Sequence, residues 1–330
     1  MRILSFPTVR MRRLRKNSAV RRLLTGTSLS VSNFVYPIFV DENIVDKKPI
    51  KSMPSQYRHS LKTLVNEVKE VVSLGIPAVI LFGIPKVKND VGSAAYTKNG
   101  VIQKAVKLLK SNFGDSLVVI TDVCLCEYTS HGHCGILKES NVVNDETLNV
   151  LAKIAVSHAE VGADVVAPSS MMDGQVSRIR DILDKDGFSN VSILAYSAKF
   201  VSSFYRPFRE AANSKTAFGD RKSYQMSYSN AEESLREVEL DIIEGADIIM
   251  VKPALAYLDV IKAVKGKFSI PLAAYNVSGE YSVIKHASRI GLIDEKEAVL
   301  EVLTAIKRAG ADIIVTYHAK DVAKWLNEGI

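Results

Sequence analysis

The segment Ala231-Glu-Glu-Ser-Leu-Arg-Glu-Val-Glu-Leu-Asp-Ile-Ile-Glu-Gly-Ala-Asp-Ile-Ile-Met-Val-Lys-Pro253 carries the reading that decides the fold. Residues 231–244 form an amphipathic stretch of helix length, Gly245 offers the left-handed cap that ends a helix, and 248–252 is a short apolar run. The same punctuation recurs at Gly162-Ala-Asp164 and Gly310-Ala-Asp312, each followed at once by an apolar run. Working outward, such runs at 35–40, 78–82, 117–123, 165–168, 192–197, 248–252, 272–277 and 313–317 give eight candidate strands. Amphipathic stretches such as 61–74, 146–160 and 295–308 lie between them. Strands that alternate with helices predict an α/β fold, a (β/α)8 barrel over residues 31–330, preceded by an extended basic arm over residues 1–30. An open doubly wound sheet is the alternative. It is disfavoured because no G-x-G-x-x-G follows the first strand and no Walker A lysine motif occurs.

No run of about 18 apolar residues exists, so no membrane span is expected, and no apolar stretch near the start suggests a secretory signal. The net charge of +7 is unevenly placed. Of 43 Lys and Arg, eight (Arg2, Arg10, Arg12, Arg13, Arg15, Lys16, Arg21, Arg22) lie in residues 1–40 with no acid, leaving 35 against all 36 acidic side chains. The body is therefore neutral and gives no footprint for nucleic acid. The arm could be a transit peptide, a nucleic-acid arm or a docking arm on another subunit. Leu14, Val20, Leu23 and Leu24 interleave with its charges, which favours docking.

The 3 cysteines, Cys124, Cys126 and Cys134, all fall in Asp122-Val-Cys-Leu-Cys-Glu-Tyr-Thr-Ser-His-Gly-His-Cys-Gly135. Such clustering points to one metal site, and three thiolates with an open fourth position suit a Lewis-acid zinc. With no thiols left for a disulfide framework, a reducing compartment, the cytoplasm, is expected.

Catalytic groups of a barrel collect at the carboxyl ends of its strands. There the sequence places Asp122 with the cysteines, Ser169 and Ser170, Lys199, Lys252, Ser278 and Tyr317. Alone, Lys252 could be a rim lysine whose stem covers apolar surface, and Lys199 could simply pair with Asp122 or another carboxylate. Two ammonium groups brought together in a partly apolar mouth disfavour each other's charge, and a neutral amine attacks carbonyls. Residues 200–225 show no clear period and carry Arg206, Arg209, Lys215, Arg221 and Lys222, which reads as a lid that clamps a substrate carboxylate.

These motifs, with Tyr196-Ser-Ala-Lys-Phe200, Phe204-Tyr-Arg-Pro-Phe-Arg209, Gly219-Asp-Arg-Lys222, Met250-Val-Lys-Pro253 and Val277-Ser-Gly-Glu280, resemble the porphobilinogen synthase (5-aminolevulinate dehydratase) family. The resemblance runs from Arg10 to Tyr317 and implies condensation of two 5-aminolevulinate molecules to porphobilinogen, with loss of two waters, in haem biosynthesis. It implies that Lys252 holds the first substrate as a Schiff base, with Ser278 and Tyr317 on its carboxylate. Lys199 then engages the second substrate, whose carboxylate meets Arg209 and Arg221 with Gln225 nearby, while Asp122 and Ser169 line the pocket. The intact cysteine trio resembles the zinc-dependent type rather than the magnesium type.

Ser223 stands where animal members have a further Cys, so a second zinc through His131 is not expected; Ser170 stands where many members have Asp. Glu237 matches a glutamate that binds an allosteric magnesium, on a helix that a Ser229/Glu232 capping box would open. A homo-octamer is implied, with the arm around a neighbouring barrel. Two other functions fit parts of the sequence, a class I aldolase with one imine-forming lysine and an RNA binder using the arm.

Overall fold

Each Gly-Ala-Asp segment does two jobs at the base of the barrel. Gly162, Gly245 and Gly310 take φ of +94°, +101° and +132°, a region open to glycine, and so release the chain from a helix. The aspartate two residues on then reaches sideways. Asp164, Asp247 and Asp312 accept the backbone N–H of Val119, Ile193 and Leu272 at 2.8, 2.7 and 2.9 Å, while their own N–H groups donate to the carbonyls of the same three residues. The repeat thus stitches the start of one strand to the strand before it.

The computed structural model describes residues 5–329. Its eight main strands are β1 (Phe34–Asp41), β2 (Ala78–Ile84), β3 (Val118–Val123), β4 (Val165–Pro168), β5 (Ser192–Lys199), β6 (Ile248–Lys252), β7 (Leu272–Asn276) and β8 (Ile313–Thr316). All pair in parallel in that order, and β8 closes on β1 at Phe34↔Ile314 and Val35↔Val315. The expected (β/α)8 barrel is therefore formed. Short strands at Lys48–Pro49 and Tyr57–His59 add a flap beside β1.

Alternation sorts the core into two layers. Phe34, Tyr36, Ile38 and Val40 of β1 face the surrounding helices, whereas Val35 and Phe39 join Ile80, Phe82, Leu194, Tyr196, Met250 and Tyr275 inside the barrel.

Four local expectations change. Lys199 is the last residue of β5 rather than the one after it. Ser278 opens the helix Ser278–Arg289, two residues beyond the end of β7. The stretch 200–225 contains a 3-10 turn, Ser203–Tyr205, and a helix, Arg206–Ala211, too short to print a period in sequence. The Ser229/Glu232 capping box is not formed. Ala231 is already helical at φ −74°, ψ −30°, so Ser229 sits too far out to cap, and its hydroxyl pairs with Ser227 at 2.7 Å.

In the arm, Asn17 caps the helix Ser18–Leu23, and Leu23 and Leu24 are exposed. Arg2 lies outside the described residues. Among the described residues no helix is long and apolar enough to cross a membrane.

Candidate active site

Lys199 and Lys252 end neighbouring strands and are direct register partners, so parallel pairing delivers both amines to the barrel mouth. Both are buried. The Lys252 Nζ lies 4.3 Å from the ring centre of Tyr275, 5.0 Å from Tyr196, 5.1 Å from Phe208 and 5.3 Å from Tyr205. Burial, and next the charge of Lys199, pull the Lys252 ammonium down to about 7. The Lys199 Nζ donates to the Ser169 carbonyl, and no Lys199–Asp122 ion pair occurs. Asp122, Ser169, Cys126, Arg209 and Arg221 line the same cavity.

The loop after β3 folds back so that Cys124, Cys126 and Cys134, all buried, bring their sulfurs within 4.8 Å of one another. Cys124 and Cys126 are 3.5 Å apart. Zinc–thiolate bonds of about 2.3 Å in a tetrahedron need sulfur separations of roughly 3.8 Å, so the trio fits zinc. Hydrogen bonds from Cys124 and Cys126 draw the Cys134 thiol well down toward the thiolate form. His131 is engaged elsewhere: Nδ1 accepts from the His133 N–H at 3.1 Å and Nε2 lies 3.1 Å from the Asp90 carbonyl. Neither histidine joins the thiols.

The lid is planted on the barrel by Phe208, whose ring lies 5.5 Å from Phe39 and 4.9 Å from Phe82. Ser278 Oγ accepts from the Phe208 N–H at 2.9 Å and donates to the Phe204 carbonyl at 3.2 Å. Arg221 is drawn in by the Gly132 and Ser214 carbonyls, at 2.9 and 2.8 Å from its Nη2. Arg209 loses part of its basicity to burial and then to Arg221.

Three buried polar atoms at this mouth have no partner, Asp122 Oδ1 and the Nε atoms of Arg209 and Arg221, and outside its lining so do both amide atoms of Gln225 and Ser170 Oγ. Each such group costs on the order of 1–3 kcal/mol unless something bonds it, so the mouth is built for a polar, anionic ligand.

Other predicted residues stand further back. Tyr317 Oη lies 3.1 Å from Tyr275 Oη, one ring removed from Lys252. Gln225 lines an adjoining acidic cavity with Glu237 and Asp241. Burial pushes the Asp241 carboxyl up to about 7 and also raises Glu237, which belongs to no three-donor cluster among the described residues.

Sequence reasoning missed Glu127, a buried acid 3.2 Å from Cys126 Sγ whose carboxyl burial raises to about 7. Its place beside Cys126 was the available signal. The aromatic box around Lys252 was also missed, since Tyr196, Tyr205, Phe208 and Tyr275 come from three separate segments.

Fold and site together define a class: (β/α)8-barrel proteins with two buried lysines at neighbouring strand ends and a cysteine trio suited to zinc. A family model described as delta-aminolevulinic acid dehydratase matches residues 8–325. The chain is 58% identical to the delta-aminolevulinic acid dehydratase of Archaeoglobus fulgidus, over 97% of this chain and 99% of that one. It is 54% identical to that of Bacillus subtilis, over 97% and 98%. The crystal structure of the Toxoplasma gondii delta-aminolevulinic acid dehydratase (porphobilinogen synthase), in complex with the product porphobilinogen, superposes with a TM-score of 0.95 at 46% identity, covering 98% of this chain and 92% of that one. The chain belongs to the delta-aminolevulinic acid dehydratase family, the hydro-lyases that condense two 5-aminolevulinate molecules to porphobilinogen in tetrapyrrole synthesis.

Proposed function

We propose that Lys252 and Lys199 each hold one 5-aminolevulinate, and that this shared mouth performs the condensation. The observation that carries the reading is the pair of buried, register-matched lysines that share one cavity with Cys126 of the thiol trio. The neutral Lys252 amine adds to the first ketone and expels water to give an imine. Ser278 and Tyr317 receive that substrate's carboxylate. Lys199 engages the second ketone, and Arg209, Arg221 and Gln225 take the second carboxylate through their unpartnered donors. Asp122, which burial keeps well above the usual carboxylate range, and Ser169 shape the floor. Confining two substrates this way replaces an encounter with an intramolecular step, worth on the order of 7–11 kcal/mol.

Cys124, Cys126 and Cys134 would hold zinc, which when bound supplies a Lewis acid for the second substrate. The acidic cavity at Glu237 offers oxygen donors of the kind magnesium takes and is the place we assign to an allosteric ion. The arm, residues 1–30, would dock on a neighbouring copy in a homo-octamer, consistent with its exposed leucines, and the enzyme would work in the cytoplasm without nucleic-acid or membrane partners.

The test is porphobilinogen formation from 5-aminolevulinate before and after chelation, with zinc or magnesium restored separately. Zinc alone should restore turnover, and Lys199→Ala and Lys252→Ala should each abolish it. Restoration by magnesium alone would overturn the zinc assignment, and an active lysine variant would point to one-lysine aldolase chemistry.

A further inference from the structure

Behind the lysine mouth runs a chain of buried polar groups that the condensation itself does not use. Glu280, the third residue of the helix Ser278–Arg289, is buried at its centre. One carboxylate oxygen accepts the Leu255 N–H at 2.8 Å, three residues after Lys252. The other accepts the Val277 N–H at 2.9 Å, next to Ser278, and the Asn276 amide at 3.1 Å. The Ala256 N–H also bonds this carboxylate. Asn276 Oδ1 in turn accepts from Thr316 Oγ1 at 2.9 Å, and Thr316 Oγ1 accepts the His318 N–H at 3.2 Å. Residues 276, 316 and 318 are fully buried.

One side chain thus ties the exit of β6 to that of β7, and through Asn276 the network extends to Thr316 at the end of β8, so it spans the exits that present Lys252, Ser278 and Tyr317. Burial raises the Glu280 carboxyl to about 7, and its N–H donors with the helix N-terminus work the other way, favouring the ionised form, which is an acceptor only and can serve several N–H donors at once. An amide can accept only at its one oxygen and would turn an NH2 donor toward the N–H groups on the other side.

We infer that Glu280 is a positioning residue: it sets the relative placement of Lys252, Ser278 and Tyr317, and so the geometry in which the first substrate forms its imine. This rests on the assignment of Lys252 made above. Imine formation by the metal-replete full-length protein can be followed by quenching into borohydride and quantifying the Lys252 peptide adduct by mass spectrometry, per folded molecule. Glu280→Gln should slow adduct formation about tenfold, as expected for loss of a charge-assisted bond, and raise KM for 5-aminolevulinate. Glu280→Asp, which keeps the carboxylate, should recover part of the rate, a rescue that packing alone would not give.

A folded Glu280→Gln that forms the adduct at the wild-type rate would overturn the inference. So would equal defects in the Gln and Asp variants. If Glu280→Gln does not fold, Thr316→Val removes the outer bond to Asn276, together with the acceptor for the His318 N–H, and leaves Glu280 in place. It should slow the adduct about threefold, and an unchanged rate would refute the proposal. Failure of the wild-type protein to label Lys252 would instead remove the underlying assignment.

Discussion

Removing the positive charge of Lys199 should make Lys252 a worse nucleophile at neutral pH. Burial is the larger cause of the lowered Lys252 basicity and Lys199 is the next, so Lys199→Met, which keeps the site apolar, isolates the second cause. Register partners on adjacent strands sit about 4.8 Å apart at their backbones, which puts the two amines roughly 5–7 Å apart. At an effective dielectric constant near 20, that separation gives about 2–3 kcal/mol of repulsion, or about 2 pH units. Lys252, at about 7 in the native protein, should therefore titrate near ~9 in the variant. The sign follows from the chemistry: only the neutral amine attacks, so the rate rises with pH through the pKa. At pH 7 the neutral fraction should fall from about one half to about one in a hundred, and the rate should recover above pH ~9.5. The assay is initial Lys252 adduct formation with 5-aminolevulinate from pH 5.5 to 10, quenched into alkaline borohydride. A midpoint that stays at the native value, or moves down, would refute the two-lysine argument.

Asp247→Ala removes the acceptor for the Ile193 N–H at the base of β5 and should cost about 1–3 kcal/mol in chemical denaturation, with KM unchanged. An added Cβ at Gly279 would lie 2.5 Å from the Phe204 carbonyl oxygen, so Gly279→Ala must push the lid segment outward; kcat/KM should drop about tenfold or more while zinc content stays constant. Truncation of residues 1–25 should shift the assembly to dimers or smaller forms on sedimentation and reduce activity; a fully active octamer without the arm would exclude docking.

Much of this protein could be read along the chain. The Gly-Ala-Asp repeat announces where helices stop and strands start because a left-handed cap and a strand entry are local events. The barrel then follows from the alternation. The thiol trio was legible because all of its members fall within one eleven-residue window, 124–134. The helix Arg206–Ala211 was not legible, since six residues do not complete a period, and neither was the failed Ser229 cap, which turned on one residue of backbone conformation.

The sequence by itself determined which groups stand at the strand ends and hence the chemistry open to them. Only the tertiary structure decided that Lys252 is held near neutrality, that Glu127 joins the thiols, and that Glu280 bridges the exits of β6 and β7. The physical reason is that burial and cross-strand adjacency are properties of the assembled barrel: the aromatic rings that desolvate Lys252 come from β5, the lid and β7, and meet only when β5 and β7 pair on either side of β6 and the segment 200–211 packs over them.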